Sequence, residues 1–185
     1  MKISLGVRNC LYPLPTTIVG AMVNGKPNFL AIAHVGVMAG INVSISMNKR
    51  HYTNSGIKEN GVFSVNIPSW DMVKETDYCG ITSGATTDKS ALFEVFYGKL
   101  KTAPMIQKCA INMECRLIKT VDFPQNDLFI GEVVESFCDD SCLTDGVVDL
   151  SKVNPILFSM HNRSYYRLGN LAAKAWEIGK TVEKR

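Results

Sequence analysis

Six consecutive residues, Asn48, Lys49, Arg50, His51, Tyr52 and Thr53, put two cations, an imidazole and several hydrogen-bond donors into one short turn. That chemistry suits an anion. Thr53 has the side chain of a helix N-cap, and the pattern predicts a short helix from it to about Asn60, with Gly61 as the stop. A helix N-terminus offers unpaired N–H groups and a partial positive charge, so it favours phosphate even before Lys49 and Arg50 are counted. A solvated basic turn would have the same composition, and these six residues alone leave both readings open.

The elements that must position this turn begin with an uncharged run. From Phe29 to Met47 there is no Asp, Glu, Lys or Arg, long enough on a crude count to cross a bilayer. The pattern is that of strands instead. His34, Asn42, Ser44 and Ser46 interrupt the run, and Val43, Ile45 and Met47 alternate with the serines at the two-residue period of a strand. Two strands joined around Gly36 to Asn42 are expected, with His34 inside the first of them. Upstream, Thr16 to Val23 reads as a strand, and Asn24-Gly25 as a hairpin turn. Downstream, residues 62 to 67 form a strand that Pro68 ends, and Ser69 starts a helix from Trp70 to Tyr78 stopped by Gly80. Ile81 to Thr87 reads as a loop, with a helical turn at Asp88 to Phe93. Ala110 to Val121 alternates Ile111, Met113, Cys115 and Leu117 against Asn112, Glu114 and Arg116; Asp127 to Phe137 is a further strand. Pro155 to Met160 and Tyr165 to Leu168 fit a hairpin that leaves His161 exposed, and a short helix is expected from Leu171 to Ile178. Six or more strands with short helices imply a mainly β, closed or nearly closed antiparallel barrel.

The 185 residues suffice for one well-buried core, so a single domain over 1–185 is expected. With 46% hydrophobic and 20% charged residues the composition is that of an ordinary globular chain. Twenty Lys and Arg against seventeen Asp and Glu leave +3, and no basic stripe argues for nucleic acid. The N-terminus lacks the apolar core of a secretion signal, so a cytoplasmic protein is expected, with six cysteines that are free thiols. Cys138 and Cys142 are spaced for a metal or a redox switch, but no histidine or second cysteine pair accompanies them.

Many enzyme classes have no seat here. The chain contains no G-x-G-x-x-G after a strand, no Walker phosphate loop, no H-E-x-x-H and no G-x-S-x-G. A phosphate cradle without an acid–base pair points to a bound cofactor that does the chemistry. Flavin suits this logic: the protein need only bind, orient and tune it, and small residues such as Ala31 and Ala33 would let backbone approach the ring.

Over nearly its whole length the chain resembles the flavin reductase-like, FMN-binding split-barrel proteins, and among them the flavoredoxin group. The resemblance is carried by Pro13 to Val19, Asn28 with Ala31, Ser46 to Thr53, Gly61 to Ile67, Cys79-Gly80 to Ser83-Gly84 with Asp88-Lys89, and Glu114-Cys115-Arg116. Gly131-Glu132-Val133 and Tyr166-Arg167-Leu168-Gly169 complete it. It implies an antiparallel split β-barrel of Greek-key type that binds FMN non-covalently. Asn28, Phe29, Leu30, Ala31 and Ala33 would line the flavin. Ser46, Arg50 and Thr53 would hold its phosphate, with Met47, Lys49 and His51 beside them. Cys79 and Lys89 would lie near the exposed flavin face, Lys89 against a nicotinamide-cofactor phosphate or a flavin carbonyl. No residue is assigned a catalytic role and no metal is expected. The resemblance further implies a homodimer and a hydride taken from NADH or NADPH for a flavin, ferric or protein acceptor; the alternative is an electron carrier without a nicotinamide site. Gly40-Ile41-Asn42 stands where many relatives carry prolines, which places the departure at that turn.

Overall fold

The structure, a computed structural model, describes residues 1–182. Asn24 and Gly25 both take positive φ, 50° and 75°, as a two-residue hairpin requires, and join β1 (Thr17–Val23) to β2 (Lys26–Ile32). β3 (Val35–Ala39) and β4 (Asn42–Asn48) form the next hairpin. Its turn is Gly40-Ile41, with Gly40 left-handed at φ 54°, and Gly36 lies within β3 rather than in the turn. After α1 (Thr53–Asn60) come β5 (Val62–Ile67), α2 (Val73–Ile81), β6 (Ile111–Asp122) and β7 (Asn126–Cys138). The hairpin of β8 (Ile156–Ser159) and β9 (Ser164–Arg167) pairs with Leu14–Pro15 in a separate three-stranded sheet.

The seven main strands lie in the order β2-β1-β5-β6-β7-β4-β3, every neighbouring pair antiparallel. β2 and β3 stand at opposite edges of this sheet yet are consecutive in the chain, separated only by Ala33 and His34. The sheet must therefore curl until its edges meet. The link at Ala33 and His34 brings them together, and the Ser46 N–H donates to the His34 carbonyl at 2.9 Å, one step beyond the Val35–Ile45 pair of the β3–β4 ladder. The result is an antiparallel split barrel, filled by Val19, Leu30, Ile45, Met47, Phe63 and Phe129 among others.

Several expectations change in three dimensions. His34 sits in the irregular link between β2 and β3, exposed, where it meets the Tyr12 hydroxyl at 2.9 Å. Tyr52, not Thr53, is the residue before the first helical turn, and no side chain caps α1; Gly61 at φ 65° does end it, donating to Ile57 at 2.9 Å. The expected helix from Trp70 opens as a 3-10 turn and continues through Gly80 to Ile81. The polar side of β6 is only partly a solvent face: Arg116 is exposed, whereas Asn112 and Glu114 are buried, because a network of internal partners replaces water for them. No α-helix forms over 171–178, a segment exposed throughout and thus without the apolar packing that sustains one, and only a 3-10 turn begins at Ile178. Among the described residues no helix is long and apolar enough to cross a membrane, and no cluster of potential metal ligands occurs.

Candidate functional site

Two adjoining cavities open where the barrel edges meet. The larger, about 520 Å³, is bordered by Ala31 to His34 from the end of β2, by Ser46 and Asn48 from β4, by Asp77 and Gly80 from α2, and by Phe158 and Tyr165 of the β8–β9 hairpin. The smaller, about 230 Å³, is bordered by Leu30, Arg50, Thr53, Thr82, Ser83 and Lys89 among others. His51, Gly80 and Ile81 belong to both, so the two are one continuous cleft.

The smaller end is cationic. Arg50, His51 and Lys89 line it and none of its lining residues is acidic. Arg50 is exposed and enters no ion pair among the described residues. Lys89 is 2% exposed, and its ammonium donates to the carbonyls of Cys79 (3.2 Å) and Thr82 (2.8 Å) at the end of α2, where the helix dipole is negative. Burial holds its pKa below the ordinary lysine value. Burial, and then the charge of Lys89, lower that of His51, which leaves the imidazole neutral at physiological pH and able to serve as a hydrogen-bonding group. The approach to α1 turns tightly, Arg50 N donating to Asn48 Oδ1 and His51 N to the Asn48 carbonyl, which aims the start of the helix at the cavity.

The larger end carries an orphan. Thr16 borders the cavity and is 3% exposed, and its buried Oγ1 has no hydrogen-bond partner among the described residues. A buried hydroxyl left unpaired costs free energy unless a ligand takes it up. Opposite it, the Tyr165 hydroxyl donates to Asp77 Oδ1 at 2.8 Å and ties the β8–β9 hairpin to α2 across the cavity; burial first, then this carboxylate, push the phenol pKa up.

The residues singled out in the sequence are only partly gathered here. Leu30, Ala31, Ala33, Ser46, Arg50, His51, Thr53 and Lys89 border the cleft. Asn28 lies just behind it, buried, donating to Thr53 Oγ1 at 2.7 Å. Phe29 and Met47 point into the core, Phe29 edge-on to Phe93 at 5.4 Å, because alternate side chains of β2 and β4 face opposite sides; only their backbone can approach a ligand. Lys49 turns away from the smaller cavity and pairs with Asp122. Cys79 is fully buried behind Gly80, and burial pushes its thiol up to about 11. Its thiolate fraction at pH 8 is on the order of one in a thousand. In native protein at that pH, iodoacetamide is expected to label exposed Cys10 and spare Cys79, a difference peptide mass spectrometry reads directly. Thr16, Asp77, Phe158 and Tyr165 were missed. The β8–β9 hairpin carries no chemical motif, and only its position over the cavity makes it part of the site.

The barrel, the cleft and the basic end of the cleft together define a protein of the flavin reductase type. The model of the flavin reductase like domain matches residues 8–168, and the chain belongs to that family. Among solved structures it is 46% identical to a flavoredoxin from Methanosarcina acetivorans, covering 98% of both chains with a TM-score of 0.94. It is 36% identical to the flavoredoxin of Desulfovibrio vulgaris (Miyazaki F), over 97% of this chain and 100% of that one, with a TM-score of 0.89. An uncharacterised protein of Archaeoglobus fulgidus is 32% identical over 146 residues, 76% of this chain and 81% of its own.

Proposed function

We propose that the chain binds FMN, its ring in the larger cavity and its phosphate in the smaller, and that it takes a hydride from NADH or NADPH for transfer to a flavin, ferric or protein acceptor. The observation that carries this reading is a cleft with an acid-free, cationic end joined to a wider end that holds an unpaired buried hydroxyl. Bound FMN would accept two electrons as a hydride and release them together or singly. The chain's own part is to bind and orient. Arg50 and the start of α1 would hold the phosphate. Thr16 Oγ1 would hydrogen-bond the ring, and the backbone of Ala31 to His34 would lie along its edge. The residues fit the group in kind: Arg50, His51 and Lys89 make the smaller end cationic, as a phosphate requires, and the Thr16 hydroxyl beside the larger end lacks a partner among the described residues.

Thr16→Val removes a hydroxyl that has nothing to bond in the free protein. It should leave thermal stability unchanged or slightly higher while weakening FMN by about two- to tenfold. Equal FMN affinity in the variant and the parent, by fluorescence titration, would take Thr16 out of the site.

The likeness to two flavoredoxins, at 46% and 36% identity, favours a second reading, an electron carrier that receives electrons from another redox protein. Anaerobic stopped-flow mixing of FMN-loaded protein with NADH and with NADPH separates the two. Bleaching of the flavin at turnover-competent rates supports the reductase, and no bleaching with either donor leaves the carrier. A homodimer is part of the proposal. Exposed Val37, Met38 and Ile41 on the β3–β4 hairpin support it, and a monomer in sedimentation at micromolar concentration would remove it.

A further inference from the structure

One edge of the sheet is left open. β3 pairs with β4 through Val35–Ile45, Gly36–Ser44 and Val37–Val43 and, past the link at Ala33 and His34, with no other strand among the described residues, β2 included. The backbone bond from Ser46 to His34 decides which groups face out. Bonded and unbonded pairs alternate along an antiparallel ladder, so Gly36 faces β4 while Val35 and Val37 turn their N–H and C=O outward. Native sheets blunt such an edge with a charge, a proline or a covering element. Here the strand reads Val-Gly-Val-Met-Ala, with neither charge nor proline, and Val37 (80% exposed), Met38 and Ile41 stand bare on its hairpin. An apolar edge of this kind is a template for one more strand.

The chain also carries a segment with the pattern of a strand and nothing to pair with. Residues 1–11 are exposed throughout and form no helix or strand. Their hydrogen bonds among the described residues are local, Gly6 N to Ser4 Oγ at 3.3 Å and Leu11 N to Asn9 Oδ1 at 3.0 Å. Yet Ile3, Leu5 and Val7 alternate with Lys2, Ser4, Gly6 and Arg8, the period of a strand with one dry face. Gly6 bends the segment at φ 70°, and a glycine returns to extended backbone without steric cost. The segment joins the body at Tyr12, whose hydroxyl meets His34 Nε2 at 2.9 Å, and His34 immediately precedes β3. Its root therefore stands beside the open edge, although the two do not pair within one chain.

We propose that residues 2–8 of one copy add a strand to the β3 edge of a second copy, which returns the same contact. Because segment and edge adjoin at Tyr12 and His34, a twofold axis beside that point sets each segment on the other chain's edge without a long reach. In extended form residues 2–8 span about 23 Å, more than the five residues of β3 require. The outward groups of Val35 and Val37 gain backbone partners, and Ile3, Leu5 and Val7 come against the apolar side chains of the hairpin. Together these surfaces remove on the order of 700 Å² from each chain, within the roughly 600–1,000 Å² per partner of a stable interface. The proposal rests on the homodimer reading and adds which residues hold the two copies together; FMN does not enter it.

The test is sedimentation over a concentration series for the parent, for a deletion of residues 2–8, for Val37→Pro, and for an equimolar mixture of the two variants. The deleted residues are exposed and the Val37 N–H lies outside the β3–β4 ladder, so both variants should fold and melt close to the parent. A dimeric parent is expected, with its dissociation constant raised about tenfold or more in either variant alone. The mixture should dimerise more tightly than either, because the Val37→Pro chain still lends its segment to the intact edge of the truncated one. A monomeric parent overturns the homodimer reading and the exchange with it. A dimer that neither variant weakens overturns the exchange and leaves the homodimer standing. Weakening by one variant only also overturns it, in favour of β3 pairing with β3 if that variant is Val37→Pro, and of a seat other than β3 if it is the deletion. A mixture no tighter than its components overturns it in favour of pairing within one chain. Should Val37→Pro fail to fold, Val37→Glu changes only an exposed side chain and is read in the same way.

Discussion

Glu114→Ala is expected to lower the stability of the protein by about 3 kcal/mol, a drop in Tm on the order of 6–12 °C. Glu114 is fully buried in the middle of β6, and its two carboxylate oxygens accept the N–H groups of Lys99 (2.8 Å) and Leu100 (2.7 Å). No basic side chain pairs with it within ion-pair distance among the described residues, so backbone alone stabilises its charge. Truncation would leave these two part-buried donors without their acceptor, and each stranded donor costs about 1–3 kcal/mol. Gly98 packs so closely that a Cβ there would lie 2.7 Å from a Glu114 oxygen, so the carboxylate sits directly against the turn it holds. The carboxylate also anchors the segment before β6 that Ser64, Asn66 and Asn112 hold from the sheet, Asn66 Oδ1 accepting from Ile106 N at 3.1 Å and Asn112 Nδ2 donating to the Ile106 carbonyl at 2.9 Å. Glu114→Gln keeps the shape and one acceptor and should lose about half as much. Thermal melts followed by circular dichroism settle the matter; a Glu114→Ala melt within 2 °C or so of the parent would show that the network is dispensable.

The second large effect concerns the ligand rather than the fold. Arg50→Ala is expected to weaken FMN by about 1.5–3 kcal/mol, roughly ten- to 150-fold, with stability nearly unchanged. The guanidinium is exposed and unpaired, so the folded state loses little with it, whereas a phosphate would lose a charge-assisted contact. Lys49 makes the control. Its ammonium is already engaged by Asp122, and Lys49→Ala should cost FMN affinity much less. Equal losses for the two variants would mean that the phosphate senses only the diffuse charge of the turn. The Arg50 effect should also shrink as salt is raised.

Much of this was legible in one dimension. Asn24-Gly25, the run to Asn48, the helix stopped at Gly61 and the hairpin around His161 to Ser164 are local instructions, written in residues that tolerate positive φ or alternate with period two. The misread elements share a cause. β6 alternates apolar and polar residues as a half-exposed strand does, yet Asn112 and Glu114 face inward because chain from 98 to 106 covers that side. Gly80 carries the usual signal for a helix end, but α2 runs one residue past it, its last carbonyls engaged by Lys89 from a later loop. Residues 171–178 have helical character that nothing in the fold buries.

The same division runs through the candidate site. The basic turn, the capable helix start and the small residues of β2 are properties of the sequence, since charge, side-chain size and local backbone preference do not depend on distant partners. Which of them face one another does depend on closure of the barrel. Closure sends Phe29 and Met47 inward, turns Lys49 to Asp122, leaves Arg50 free, sets Thr16 Oγ1 without a partner, and lays Phe158 and Tyr165 from the far end of the chain over the cleft. Those arrangements are fixed by packing between segments far apart in the chain, 73 residues for Lys49 with Asp122 and 88 for Asp77 with Tyr165, and a sequence read along its length has no local signal for them.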